Sequence, residues 1–154
     1  MISKDFLEVI KIISKRLKKS KIQWALIGST NMAIQGIDVT PRDLDLVVKL
    51  SDLSKMNSIF FDYNPGEIRE LKPLSEKPAL DIKIIIDNIE VQILGEKDSG
   101  EYVKKLLLNQ IILIRLNNIE IPCLTLKAEA RTYSETKRQH KADLINNFLE
   151  KERV

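Results

Sequence analysis

Two apolar runs linked by a Gly-Ser turn constrain this chain more than any other feature. The first strand is expected over Ile22 to Ile27, and it ends in Gly28-Ser29. A second strand-like run, Asp43 to Lys49, carries acids at Asp43 and Asp45. Side chains alternate across a strand, so these two carboxylates share a face. Like charges held that close are costly unless a cation lies between them. Hard oxygen donors of this kind suit Mg2+ or Mn2+. Taken alone, an acid-x-acid strand is more often a solvated face. Here Gly28-Ser29 leads straight into a short helix, Thr30 to Gln35, closed by Gly36. Helix starts attract phosphate, and Ser29 suits either the N-cap or a phosphate contact. Gly28 and Ser29 are therefore the nucleotide-binding candidates, and Asp43 and Asp45 the metal ligands.

The segment Ala25 to Val48, ALIGSTNMAIQGIDVTPRDLDLVV, resembles the signature of the DNA polymerase β-like nucleotidyltransferase superfamily. Its small members, including the minimal, lincosamide and aminoglycoside nucleotidyltransferases, look most similar. The resemblance implies a nucleotidyltransferase fold and Mg2+-dependent transfer of NMP, with AMP the favoured group, from an NTP to a hydroxyl with release of pyrophosphate. It also implies a third carboxylate on a later strand. Here the sequence departs from the family, because the usual alignment puts Gln92 at that position. Glutamine is no general base and a poor replacement for an anionic ligand. Glu90, two residues earlier and on the same face, is the candidate third catalytic acid beside Asp43 and Asp45. Asp81, on the paired strand, has the same apolar–acid–apolar setting. The family's small members also carry a tyrosine and basic residues near the C-terminus. Lys137 and Arg138 are the matching triphosphate candidates, with a solvated basic face as the alternative.

The remaining pattern predicts an α/β (α+β) architecture, a mixed sheet flanked by helices. Ser3 to Ser20 has apolar residues at helical spacing with Ser3 as N-cap. Ser51 or Asp52 is expected to cap a third helix reaching about Phe61. The proline-containing stretch Tyr63 to Pro78 reads as a loop or lid. Ala79 to Ile86 and Ile89 to Leu94 form a hairpin turned by Asp87-Asn88, and Gln110 to Leu116 and Ile119 to Leu124 a second turned by Asn117-Asn118. Glu101 to Leu108 fits helix or strand. Thr125 is expected to cap one long C-terminal helix, from about Leu126 to Lys151.

With 154 residues, a single domain over 1–154 is the expectation. No apolar run spans a bilayer and none resembles a signal peptide, so a cytoplasmic location without membrane partners is expected. One cysteine, Cys123, excludes an intrachain disulfide and reads as buried core. One histidine, His140, excludes a histidine-built metal site. The net charge of +3 is not a nucleic-acid footprint, although basic residues cluster at Lys15–Lys21 and Arg131–Lys141. The acceptor stays open between a small molecule, a protein hydroxyl and an RNA end. So short a chain leaves little room for an acceptor domain, which points to a homodimer or a partner chain. A lapsed nucleotidyltransferase fold that senses NTP or neutralises a partner, as in a toxin–antitoxin pair, is the rival reading, and Gln92 favours it.

Overall fold

A seven-stranded mixed sheet organises the computed structural model, which describes residues 2–71 and 79–153. In chain order the elements are α1 (Lys4–Lys19), β1 (Trp24–Ile27), α2 (Gly28–Ile34), β2 (Leu44–Lys49), α3 (Leu50–Leu53) and α4 (Met56–Ile59). A 3-10 turn (Phe61–Tyr63) leads to β3 (Arg69–Leu71), β4 (Ala79–Ile86), β5 (Ile89–Glu96) and α5 (Val103–Leu107). The chain closes with β6 (Ile111–Leu116), β7 (Ile119–Leu124), α6 (Leu126–Glu135) and α7 (Gln139–Glu152). The strand order is β3-β4-β5-β2-β1-β7-β6. β2 runs antiparallel to β1 and parallel to β5, which puts the acid strand at the centre.

One sheet face is sealed by α1. Ser3 Oγ accepts the Phe6 N–H at 3.3 Å and starts the helix. Val9, Ile10, Ile13 and Leu17 fall on one side and pack on Leu26, Leu46, Val91, Ile93 and Cys123. Each such fully buried aliphatic side chain contributes about 1.5–3 kcal/mol. The opposite face joins Ala25, Ile27 and Val47 to Tyr102, Val103 and Ala128. A third cluster ties α2 to α6 and α7 through Met32, Ala130, Tyr133 and Ile145. Buried Lys105 fastens α5 to α6, donating to the Glu101 carbonyl at 2.9 Å and the Glu135 carboxylate at 2.6 Å.

Both hairpins form where the sequence places them. Asp87-Asn88 and Asn117-Asn118 all have positive φ, 50° and 68°, then 46° and 67°. That left-handed pair matches the twist of the flanking strands, and Asn and Asp tolerate it. Other expectations shift. The single third helix becomes α3, α4 and the 3-10 turn, with Lys49 rather than Ser51 or Asp52 at the first N-cap. α2 begins at Gly28, so Ser29 lies inside the first turn and is not the cap. The ambiguous segment is helical at α5. The loop or lid contains the edge strand β3, and its remainder at 72–78 lies outside the described residues. Among the described residues, no helix is long and apolar enough to cross a membrane.

The largest difference lies near the C-terminus. Thr125 does cap the helix, accepting the Ala128 N–H at 3.2 Å, but α6 stops at Glu135. Lys137 takes φ 62°, while Arg138 N–H reaches the Tyr133 carbonyl and Lys137 N–H the Ser134 carbonyl. These two bonds are a Schellman ending with lysine where glycine usually sits. The one long helix expected from about Leu126 to Lys151 is therefore two, α6 and α7. α7 sets off in a new direction, bringing Arg138 and Lys141 to Tyr133.

Candidate active site

The site is assembled at the C-terminal end of β1 and the start of β2. Ile27 pairs with Asp45, so the chain leaves β1 directly beside the second acid. Gly28 has φ +75°, and a Cβ built there would stand 2.9 Å from Asp45 Oδ2. Only glycine accommodates both the left-handed backbone and the carboxylate lying over it. Thr30 Oγ1 donates to the Asp43 carbonyl at 2.8 Å and fixes the entry into β2. Asp43 is exposed just before the strand, and Asp45 is half-buried in it.

Asp45 is electrostatically uncomfortable in the metal-free protein. Burial pushes its pKa up to about 6, and Asp43 pushes in the same direction, while Lys141 and Arg138 pull it down. Its Oδ1 is buried without a hydrogen-bond partner among the described residues. Buried acceptors are normally satisfied. A divalent cation held by Asp43 and Asp45 would satisfy this one, so the donor set fits a hard ion. Among the described residues, no three His, Cys, Asp or Glu side chains converge to hold a metal.

A fully buried carboxylate that sequence reasoning missed underlies the turn. Glu129 on α6 accepts the Gly28 N–H at 2.6 Å and Asn31 Nδ2 at 3.1 Å through Oε1. The Gly28 N–H is thus committed to Glu129, and the glycine offers the site room and conformation. Glu129 Oε2 has no partner in good hydrogen-bond geometry; the Tyr102 hydroxyl bears on the carboxyl without meeting that geometry. Burial raises the Glu129 pKa to about 7, against the bonds from Asn31 and Gly28 that lower it. The available signal was register, because Glu129 lies on the helical stripe with Leu126, Ala130 and Tyr133.

The basic wall is formed by Arg138 and Lys141. The Arg138 guanidinium stands 4.7 Å from the Tyr133 ring centroid and donates to the Tyr102 hydroxyl at 3.3 Å. Lys141 Nζ lies 5.4 Å from the same ring centroid. Lys137 is exposed at the left-handed joint. Among the described residues, the field of both Arg138 and Lys141 reaches Asp45. Read as part of one unbroken helix, Lys141 gives no sign of the turn that brings it beside Tyr133.

Glu90 and Gln92 lie on β5, the strand beside the acids. Gln92 is the register partner of Asp45. Glu90 is two residues earlier, its carboxylate 3.5 Å from Lys83 Nζ, and its charge is felt at Asp45. Asp81 is fully buried and engaged by Arg69 and Gln92. His140 is exposed, and Cys123 is buried with its thiol pushed up to about 12 by burial. Within the Lys15–Lys21 cluster, Arg16 is structural: it forms a forked pair with Asp62 and stands 4.9 Å from the Tyr63 ring centroid.

The raised carboxylates give a signed expectation. The folded values of about 6 and 7 lie above the ordinary values of 3.8 and 4.5, so the folded protein holds protons that the unfolded chain has lost. Their contribution is present at low pH and is lost as pH rises through 6 to 7. Lowering the pH from 8 to 5.5 is therefore expected to raise the melting temperature of metal-free protein. Glu129 alone accounts for a difference on the order of 3 kcal/mol over the full window. Glu129→Gln keeps the acceptor for Gly28 and should flatten part of the slope. A melting temperature that climbs with pH over this range contradicts the assignment.

The fold is that of the nucleotidyltransferase superfamily. A protein from Thermotoga maritima described as a nucleotidyltransferase superposes with TM-score 0.76 at 25% identity, covering 98% of this chain and 96% of its own. The chain belongs to the aminoglycoside-2''-adenylyltransferase family, whose sequence pattern matches residues 9–146. The antibiotic-resistance enzyme ANT(2'')-Ia, in complex with adenylyl-2''-tobramycin, shares the fold at TM-score 0.58 and 10% identity, over 96% of this chain and 90% of that one. The lincosamide adenylyltransferase LnuA, with lincomycin bound, does so at TM-score 0.54 and 11% identity, over 94% and 98%. A comparison with curated proteins gives no match.

Proposed function

We propose that this chain is a metal-dependent nucleotidyltransferase that moves AMP from ATP to a hydroxyl of a small polar acceptor. The observation that carries the reading is Asp45, whose buried, unpartnered Oδ1 sits beside Asp43 and over a glycine with no alternative. Family membership supplies the reaction class. In the reaction the acceptor oxygen bonds to the α-phosphorus, the bond to the bridging oxygen breaks, and pyrophosphate leaves. A bound Mg2+ or Mn2+ on Asp43 and Asp45 would neutralise the charge that builds on these oxygens.

The chain's own residues do the positioning. Gly28 leaves space for the triphosphate, and Ser29 offers a hydroxyl in the first turn of α2. Arg138 and Lys141 present positive charge across the site from the acids, with Lys137 at its rim. Glu129 holds the turn from below by its bond to Gly28. Glu90 lies on the adjacent strand as the candidate carboxylate that takes the acceptor proton, and Lys83 is its competing partner.

The test is transfer of label from α-labelled ATP with Mg2+ to a panel of hydroxyl acceptors that includes tobramycin and lincomycin. Labelled acceptor with stoichiometric pyrophosphate supports the reading. A second reading, a lapsed fold that binds the metal–nucleotide and contacts a partner, is favoured by Gln92 at the register position beside Asp45. It expects metal-dependent ATP binding with no pyrophosphate release for any acceptor.

A further inference from the structure

We propose that Gln92 supplies an uncharged oxygen to the cation site beside Asp45, and that Asp81 and Arg69 fix its amide in the required orientation. This rests on the nucleotidyltransferase reading above. Gln92 and Asp45 are directly opposed on the parallel strands β5 and β2. Gln92 Nε2 donates to Asp81 Oδ2 at 2.6 Å. Asp81 is fully buried and, among the described residues, also takes bonds from Arg69 Nε at 3.2 Å to Oδ1 and from Arg69 Nη2 at 2.9 Å to Oδ2.

The two ends of a glutamine amide have nearly the same shape, so bonding chemistry decides which way it points. A carboxylate gripped by a guanidinium fork has only acceptors to offer. It therefore selects the NH2 end of Gln92 and holds it toward β4. With the NH2 end held there, Oε1 is left as the free acceptor of a residue whose register partner is Asp45. A glutamine without Asp81 would be free to present either end, and an NH2 group facing a cation is repulsive. The edge strand β3 thus acts on the site through one relay, Arg69 to Asp81 to Gln92. Gln92 touches the ion; Asp81 and Arg69 are positioning residues.

The substitution also changes the charge of the site. Asp43 and Asp45 provide two negative charges and Gln92 a neutral donor. Gln92→Glu would set a second carboxylate against Asp81 at the distance the amide now bridges, so the buried Asp81 disfavours an acid at this position.

The experiment is Mn2+ binding to the full chain without nucleotide, read by electron paramagnetic resonance of the free ion. Gln92→Leu is expected to weaken Mn2+ binding on the order of tenfold, and Asp81→Leu comparably, as removal of ligand supports does. The Gln92→Leu/Asp81→Leu pair should lose no more than Gln92→Leu alone, because Asp81 acts only through the amide. Should Asp81→Leu not fold, Asp81→Asn keeps the packing, frees the amide to turn and is expected to show a smaller loss. Wild-type affinity in Gln92→Leu overturns the proposal, as do additive losses in the double variant. If Asp43→Asn/Asp45→Asn binds Mn2+ like the wild type, the cation reading itself fails. If only that variant loses binding, the reading stands and the role of Gln92 falls.

Discussion

Asp45→Asn is expected to lower nucleotidyl transfer by roughly a thousandfold or more while making the metal-free protein more stable. Removing a preorganised electrostatic partner of the reacting oxygens costs on the order of 10²–10³ in rate, and loss of a metal ligand adds to that. The stability change has the opposite sign. Asp45 is held in a buried setting beside Asp43, with its pKa raised to about 6 and one oxygen unpartnered. Above pH 7 that charge is retained at a cost, and asparagine removes it. Discounted for the partial exposure of Asp45, the gain is about 1–2 kcal/mol, or roughly 2–8 °C in melting temperature. Thermal melts at pH 8 without metal, beside the transfer assay, check both signs. A variant that melts lower and remains active would remove Asp45 from the site.

The second large effect is at Gly28. Gly28→Val is expected to destabilise the fold by about 2–4 kcal/mol, from a left-handed backbone and a collision. The Cβ position lies 2.9 Å from Asp45 Oδ2, so the carboxylate must move and metal-dependent nucleotide binding should be lost. Gly36→Ala is the matched control. Gly36 also has a left-handed φ, +102°, but its Cβ would meet the Phe148 ring at 3.4 Å, away from the acids. It should lose stability and keep nucleotide binding. Equal binding losses in both variants, measured at a temperature where each is folded, would show that the Gly28 effect is only strain.

Local rules made much of this legible in the sequence. Alternation and paired Asn or Asp turns located β4, β5, β6 and β7, because a left-handed hairpin turn has few residue solutions. The Gly-Ser turn and the acid strand were readable because both bring unusual chemistry to apolar strands. What escaped depends on tertiary context. Lys137 ends α6 in a left-handed conformation that no glycine advertised, so Arg138 and Lys141 were assigned to an unbroken helix. Glu129 falls on the apolar stripe of α6, but its partner is set only when α6 docks beneath Gly28. Read along the chain, Asp81 is an alternative to Glu90 for the missing acid and Gln92 marks its absence, whereas the pairing of β4 with β5 brings the two side chains into one hydrogen bond. Pairings between distant segments are set by packing, and a single chain read linearly does not carry them.

The most direct measurement is calorimetric titration of ATP with Mg2+ into the wild type and into Asp43→Asn/Asp45→Asn. Saturable binding to the wild type that requires Mg2+ and disappears in the folded double variant is the expected result. Absence of binding to the wild type, or binding of equal strength in the double variant, would contradict a metal–nucleotide site at these two aspartates.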